Sequence, residues 1–227
     1  MKLTIAILMS THTQLGDTGK TTGTYASEVA HAVEVFDEAG VEILFVSPNG
    51  GAIPLYGTDH DARTEAFLAD ESWTTRLHAS LSVAEASKRH VDAVYIAGGH
   101  GAMWDLAAPG AHADWMGSVW SSGRPLAAVC HGPAGLVSVT DAEGAPVVSG
   151  RKVAGFTNEE EDAAGLTAAM PFLLEDKLVA LGGSHQGAPA WQAQVVRDGR
   201  LVTGQNPASA DGVARALVAL LKAERAD

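Results

Sequence analysis

The 227-residue chain is 46% apolar and 19% charged, the balance of a compact folded protein rather than a disordered one. Its net charge of −12 argues against nucleic acid or an anionic membrane surface as a partner, because phosphate binding needs clustered Lys and Arg. A single cysteine excludes an internal disulfide framework and fits a reducing cytoplasm.

Leu3–Met9 reads as a first strand, too short for a membrane span and without a signal-peptide cleavage pattern. Gly16-Asp17-Thr18-Gly19-Lys20-Thr21 looks like a phosphate-binding loop, but the motif needs four residues between its glycines and two stand here, so it reads as a polar loop. Val29, Val33 and Phe36 follow at helical spacing, then Val41–Val46 as a second strand. Residues 74–90 carry Leu77, Leu81 and Ala84 in helical register, and Ala93–Ala97 and Leu126–Val129 are two further buried strands. Strands alternating with helices imply an α/β fold with a mostly parallel sheet covered on both faces.

The second half changes character. Val147–Val148 and Val153–Ala154 flank Ser149-Gly150-Arg151 and predict a hairpin; Gln194–Val196 and Leu201–Thr203, joined through Asp198-Gly199, predict another. Asn206 as N-cap and Pro207 in the first turn open a last helix with Val213, Leu217, Leu220 and Leu221 on one face. No linker or repeat interrupts the pattern, so one domain over residues 1–227 is expected.

The chemistry concentrates in Ala127-Ala128-Val129-Cys130-His131-Gly132-Pro133. A buried strand runs into a cysteine, with small residues at Ala128 and Gly132 and a helix expected from Pro133, which is the layout of a nucleophile elbow. A cysteine at a helix N-terminus would have its thiolate stabilised. Gly98-Gly99-His100-Gly101 ends the neighbouring strand, so the amides of Gly99 and His131 are candidates for an oxyanion hole in a shared crevice. His100 and His131 are both candidate bases, and Glu28, early in its helix, could reach the same place. Of Glu159, Glu160 and Glu161, one could orient a histidine, although such a run is usually a solvated face. No cluster has metal-ligand spacing.

Ala128 to Pro133, Gly98 to Leu106, Thr203 to Ser209, Gly23 to Glu28 and Ser47 to Gly51 together resemble the PfpI-type branch of the class I glutamine amidotransferase-like superfamily. Within it the chain is most similar to the heat-shock chaperone subgroup that acts as glyoxalase III. The resemblance implies a flavodoxin-like α/β sandwich, usually dimeric. It also implies conversion of methylglyoxal and glyoxal to lactate and glycolate without glutathione, metal or other cofactor. Carried over, Cys130 is the nucleophile, His131 its acid/base partner, Glu28 a group against the sulfur, and Glu161 the third triad member, with Glu159 or Glu160 as alternatives. Gly99, His100 and His131 would line the oxyanion hole and substrate site. A Cys-dependent hydrolase and a cysteine-independent holdase are the rival readings. The chain departs from the family pattern at Ala32, where members carry proline, and at Leu55-Tyr56-Gly57-Thr58, where they carry Asp-Pro.

Overall fold

The strands follow from the apolar runs, and their order decides where a site can form. The computed structural model describes residues 2–57 and 61–225; Thr58 lies outside them. Eight strands form one sheet in the order Val195–Asp198, Leu201–Gly204, Leu126–Val129, Ala93–Ile96, Thr4–Leu8, Glu42–Ser47, Ser80–Ser82, Asn49–Gly51. All neighbours are parallel except the two edge pairs, Val195–Asp198 with Leu201–Gly204 and Asn49–Gly51 with Ser80–Ser82. The inner strands are almost wholly buried, which explains why they read as unbroken apolar runs.

From Thr4–Leu8 the chain crosses through the helix Ala26–Glu38 to Glu42–Ser47 on one side, whereas from Ala93–Ile96 it crosses through Ala111–Ser121 to Leu126–Val129 on the other. Right-handed crossovers in opposite directions put these helices on opposite faces. Ala26–Glu38 packs with the last helix, Ala210–Glu224, while Ala111–Ser121 packs with the short helix Val83–Ala86. The architecture is flavodoxin-like α/β. The reversal between Thr4–Leu8 and Ala93–Ile96 is a switch point, where loops at the carboxyl ends of the strands part and leave a crevice. Among the described residues no helix is long and apolar enough to cross a membrane.

Two local expectations are corrected. Residues 74–90 are not one helix: Glu71–His78 ends, Ser80–Ser82 joins the sheet, and Ser82 restarts a helix by capping Glu85, whose carboxylate returns the bond to the Ser82 N–H. Leu81 therefore serves a strand that happens to fall in helical register. The predicted hairpin at 147–154 is also absent. Lys152–Val153 pairs in parallel with Ser184–His185, and the Val147 N–H donates to the Val139 carbonyl. The turn at Ser149-Gly150 is real, but its two arms have different partners. The second hairpin forms as expected, with Val196 opposite Thr203 and Gly199 at φ +57° in its turn.

Candidate active site

Cys130 follows the buried strand Leu126–Val129 at φ +59°, a left-handed conformation that costs a side-chain-bearing residue about 1–2 kcal/mol. The surrounding structure imposes it. The Cys130 N–H donates to the Gly204 carbonyl at 3.0 Å, and the Cys130 carbonyl accepts from the Phe156 N–H at 2.9 Å. Gly132 lets the turn close, since a Cβ there would stand 2.4 Å from the Ile96 carbonyl oxygen. Beyond it lies a five-residue 3₁₀ turn, Gly132–Leu136, in place of the expected α-helix.

The thiol consequently sits differently from the sequence-based expectation. Burial pushes the Cys130 pKa well above its ordinary value, the neighbouring Glu28 carboxylate adds to that, and the backbone N–H groups of His131 and Gly99 oppose it. Desolvation outweighs the two amides and favours the neutral thiol. Those two amides are the ones the sequence nominates for an oxyanion hole, and both point at the sulfur.

Glu28 is fully buried in the first turn of Ala26–Glu38. Its Oε2 accepts from the Gly98 N–H at 2.6 Å, and its carbonyl accepts from the Tyr95 hydroxyl at 3.1 Å. Only glycine fits at position 98, where a Cβ would lie 2.7 Å from the Glu28 carboxylate and from the His131 amide nitrogen. The other oxygen, Oε1, has no hydrogen-bond partner in good geometry, although the thiol lies beside this carboxyl. Burial lifts its pKa to about 8, against the pull of the Gly98 amide and the thiol.

On the other side of the sulfur, His131 Nδ1 is 3.4 Å from Cys130 Sγ and His131 Nε2 is 2.7 Å from Glu161 Oε2. The second Glu161 oxygen is 3.0 Å from His100 Nε2, and His100 Nδ1 is 2.9 Å from the Tyr56 hydroxyl. One carboxylate thus holds two imidazoles. Burial works to raise the Glu161 pKa, but the hydrogen bonds from His100 and His131 overcome it and hold the value to about 2. Burial, reinforced by His100, lowers His131 to about 4 despite Glu161. His131 rests as a neutral ring that donates from Nε2 and accepts at Nδ1.

The acidic run divides by helical register. Thr157 caps the helix Asn158–Ala163 and forms a capping box with Glu160. Glu160 Oε2 accepts from the Thr157 N–H and hydroxyl, and Oε1 accepts from the Trp191 N–H and the side-chain amides of Gln205 and Asn206. Glu159 faces solvent, and Glu161 turns to the histidines. The Thr-x-x-Glu signature was visible in the sequence and would have assigned Glu160 to the cap. Glu160→Ala leaves these buried donors without an acceptor and is expected to cost about 3 kcal/mol or more, roughly 10 °C in Tm by circular dichroism.

The sequence reading also missed the aromatic wall. Phe156 lies 4.4 Å from the His131 ring, and Trp191, half exposed at φ +67°, meets Phe156 edge-on at 5.8 Å. No periodicity marks these two residues. The sequence gives no metal-ligand spacing, yet the fold brings one donor atom each of His100, His131 and Glu161 within 4.8 Å of one another. In the arrangement seen, both Nε2 positions are committed to the carboxylate, so a cation would have to displace those protons.

A model of the DJ-1/PfpI family matches residues 21–220. Glyoxalase 3 of Candida albicans is 31% identical over 238 residues, covering 96% of this chain and 98% of that protein. The glutathione-independent glyoxalase HSP31 of Saccharomyces cerevisiae is 29% identical over 221 residues, covering 90% and 91%. Among solved structures, the Rapid Encystment Protein of Francisella tularensis superimposes with a TM-score of 0.92 at 32% identity, covering 97% of this chain and 99% of that one. Glyoxalase III from Candida albicans gives a TM-score of 0.86 at 26% identity, covering 96% and 97%.

Proposed function

The chain belongs to the DJ-1/PfpI family, and from that premise we propose that it is a glutathione-independent glyoxalase that converts a small 2-oxoaldehyde to the 2-hydroxy acid through Cys130. The observation that carries this reading is the thiol held between two dissimilar bases, a Glu28 carboxyl near pKa 8 and a neutral His131 near 4. A hydrolase needs one base for its nucleophile. An aldehyde-to-acid isomerisation needs a second, to move hydrogen from one carbon to the next.

The thiol adds to the aldehyde carbon C1 and its proton passes to the new C1 oxygen, giving a hemithioacetal. The amides of Gly99 and His131 hold that oxygen while it is charged. Ionised Glu28 then takes the hydrogen on C1; the bonding pair forms C1=C2 and the C2 carbonyl pair moves onto its oxygen. Glu28 returns the proton to C2 while the C1 hydroxyl proton passes to the C2 oxygen, leaving a thioester that water hydrolyses to the acid and the free thiol. Glu28 suits this step better than His131 because burial raises the basicity of the carboxylate and lowers that of the imidazole. His131, oriented by Glu161, serves the sulfur during addition and release.

The test is lactate formation from methylglyoxal by the purified protein, with EDTA and without glutathione. Lactate at a rate proportional to enzyme is the expected result. No lactate, or a requirement for glutathione, would overturn the reading.

A further inference from the structure

The Tyr56 hydroxyl has no part in the family resemblance; Leu55-Tyr56-Gly57-Thr58 is the place where this chain departs from the pattern. Yet Leu55–Tyr56 pairs in parallel with Thr24–Tyr25, and this small ladder carries the phenol into the crevice. The phenol oxygen accepts from the His100 N–H at 3.1 Å and lies 2.9 Å from His100 Nδ1. With His100 Nε2 facing Glu161, Nδ1 is the nitrogen placed to accept the phenol proton.

The hydroxyl is close enough to Cys130 and Glu28 for both to act on it electrostatically, and the Thr22 hydroxyl lies beside it. The Thr22 hydroxyl oxygen and Glu28 Oε1 are both buried and lack a partner in good geometry, with the phenol beside the first and the thiol beside the second. Such orphans mark where a polar ligand would dock.

We propose that Tyr56 is a further catalytic residue, the group that receives the substrate's C2 oxygen and carries a proton to it from the C1 oxygen. This deepens the glyoxalase reading and rests on it. The isomerisation has two halves. One hydrogen moves from C1 to C2 through Glu28, and one proton must move from the C1 oxygen to the C2 oxygen, since the thioester carries C1=O and C2–OH. As C1–H leaves and charge collects on the C2 oxygen, the phenol proton swings off His100 Nδ1 and passes to that oxygen. The phenol oxygen takes the proton from the C1 hydroxyl as C1=O forms. Tyr56 ends as it began, no oxidant or co-reactant enters, and the His100 N–H stays on the phenol oxygen throughout. His100 is a positioning residue, held in one tautomer by Glu161. Burial pushes the phenol pKa up, charge developing on Cys130 or Glu28 acts in the same direction, and the phenol stays protonated as a donor.

Tyr56→Phe keeps the ring and its edge contact on Tyr25 at 5.2 Å and removes only the hydroxyl. Three quantities decide the matter: lactate turnover, the rate at which iodoacetamide alkylates Cys130, and the mass of the methylglyoxal adduct on the protein. The expected result is a fall in kcat of about 100-fold or more, with KM and alkylation near wild type and the one-methylglyoxal adduct accumulating on the variant. Wild-type kcat in Tyr56→Phe overturns the proposal and leaves the glyoxalase reading standing. Parallel loss of alkylation also overturns it, by showing that the hydroxyl merely holds the site together. A wild-type protein that makes no lactate overturns both readings.

Discussion

Cys130→Ser makes no detectable lactate in the expected outcome, a loss of at least about 10⁴-fold, while the fold is retained. Serine is close in size and tolerates the left-handed backbone no worse than cysteine, so thermal unfolding should shift little. The chemical difference is large. A serine hydroxyl becomes a nucleophile only when a neighbouring base removes its proton, and His131, lowered to about 4 by burial, is too weak to do so at neutral pH. Glu28 near 8 is the stronger base, but it is also needed for the carbon proton. A thiol adds to aldehydes with far less help. The same variant separates the covalent route from the holdase reading: a holdase should suppress client aggregation undiminished with serine at position 130. Substantial lactate from Cys130→Ser, assayed enzymatically against wild type, would falsify the covalent route.

Glu28→Gln should reduce kcat by about 10²–10⁴-fold and at the same time change how stability depends on pH. The amide keeps the shape of the carboxyl but cannot accept the hydrogen from C1. In the wild type, activity should climb with pH through about 8 as Glu28 ionises, and this limb should vanish in the variant's residual rate. Folding stability should move the opposite way. The unfolded carboxyl ionises near 4.5 and the folded one near 8, so between these values the unfolded chain binds fewer protons and wild-type stability declines as pH rises. Glutamine removes the decline. The variant should gain on the wild type in Tm between pH 5 and pH 8, and parallel Tm profiles for the two proteins would show that Glu28 is not buried as described.

Much of this was legible in the chain because the buried parallel strands leave little else to read. Leu126–Val129 is bounded as expected, and the elbow after it is announced by small residues around Cys130. What failed is instructive. Leu77, Leu81 and Ala84 keep a helical interval across a segment that breaks twice, since a three-residue strand is too short to impose its own period. Val147–Val148 and Val153–Ala154 flank a turn, but pairing is decided by what the rest of the sheet leaves free, and Ser184–His185 takes the second arm. The acidic run looked uniform because charge patterning ignores caps; the capping box separates Glu160 from Glu161 by one helical step. Tyr56 reaches the site from a two-residue strand and Trp191 from a loop, and neither segment is long enough to show a periodicity.

The cysteine's backbone is tied on both sides, its N–H to Gly204 at the end of a sheet strand and its carbonyl to the Phe156 N–H. A nucleophile on a surface loop can be lost to fraying while the rest of the molecule stays intact. Here the Cys130 amide is bonded to an inner strand, so its hydrogen exchange should track global unfolding. Activity should survive on warming until the sheet itself gives way, and should return wherever the sheet refolds.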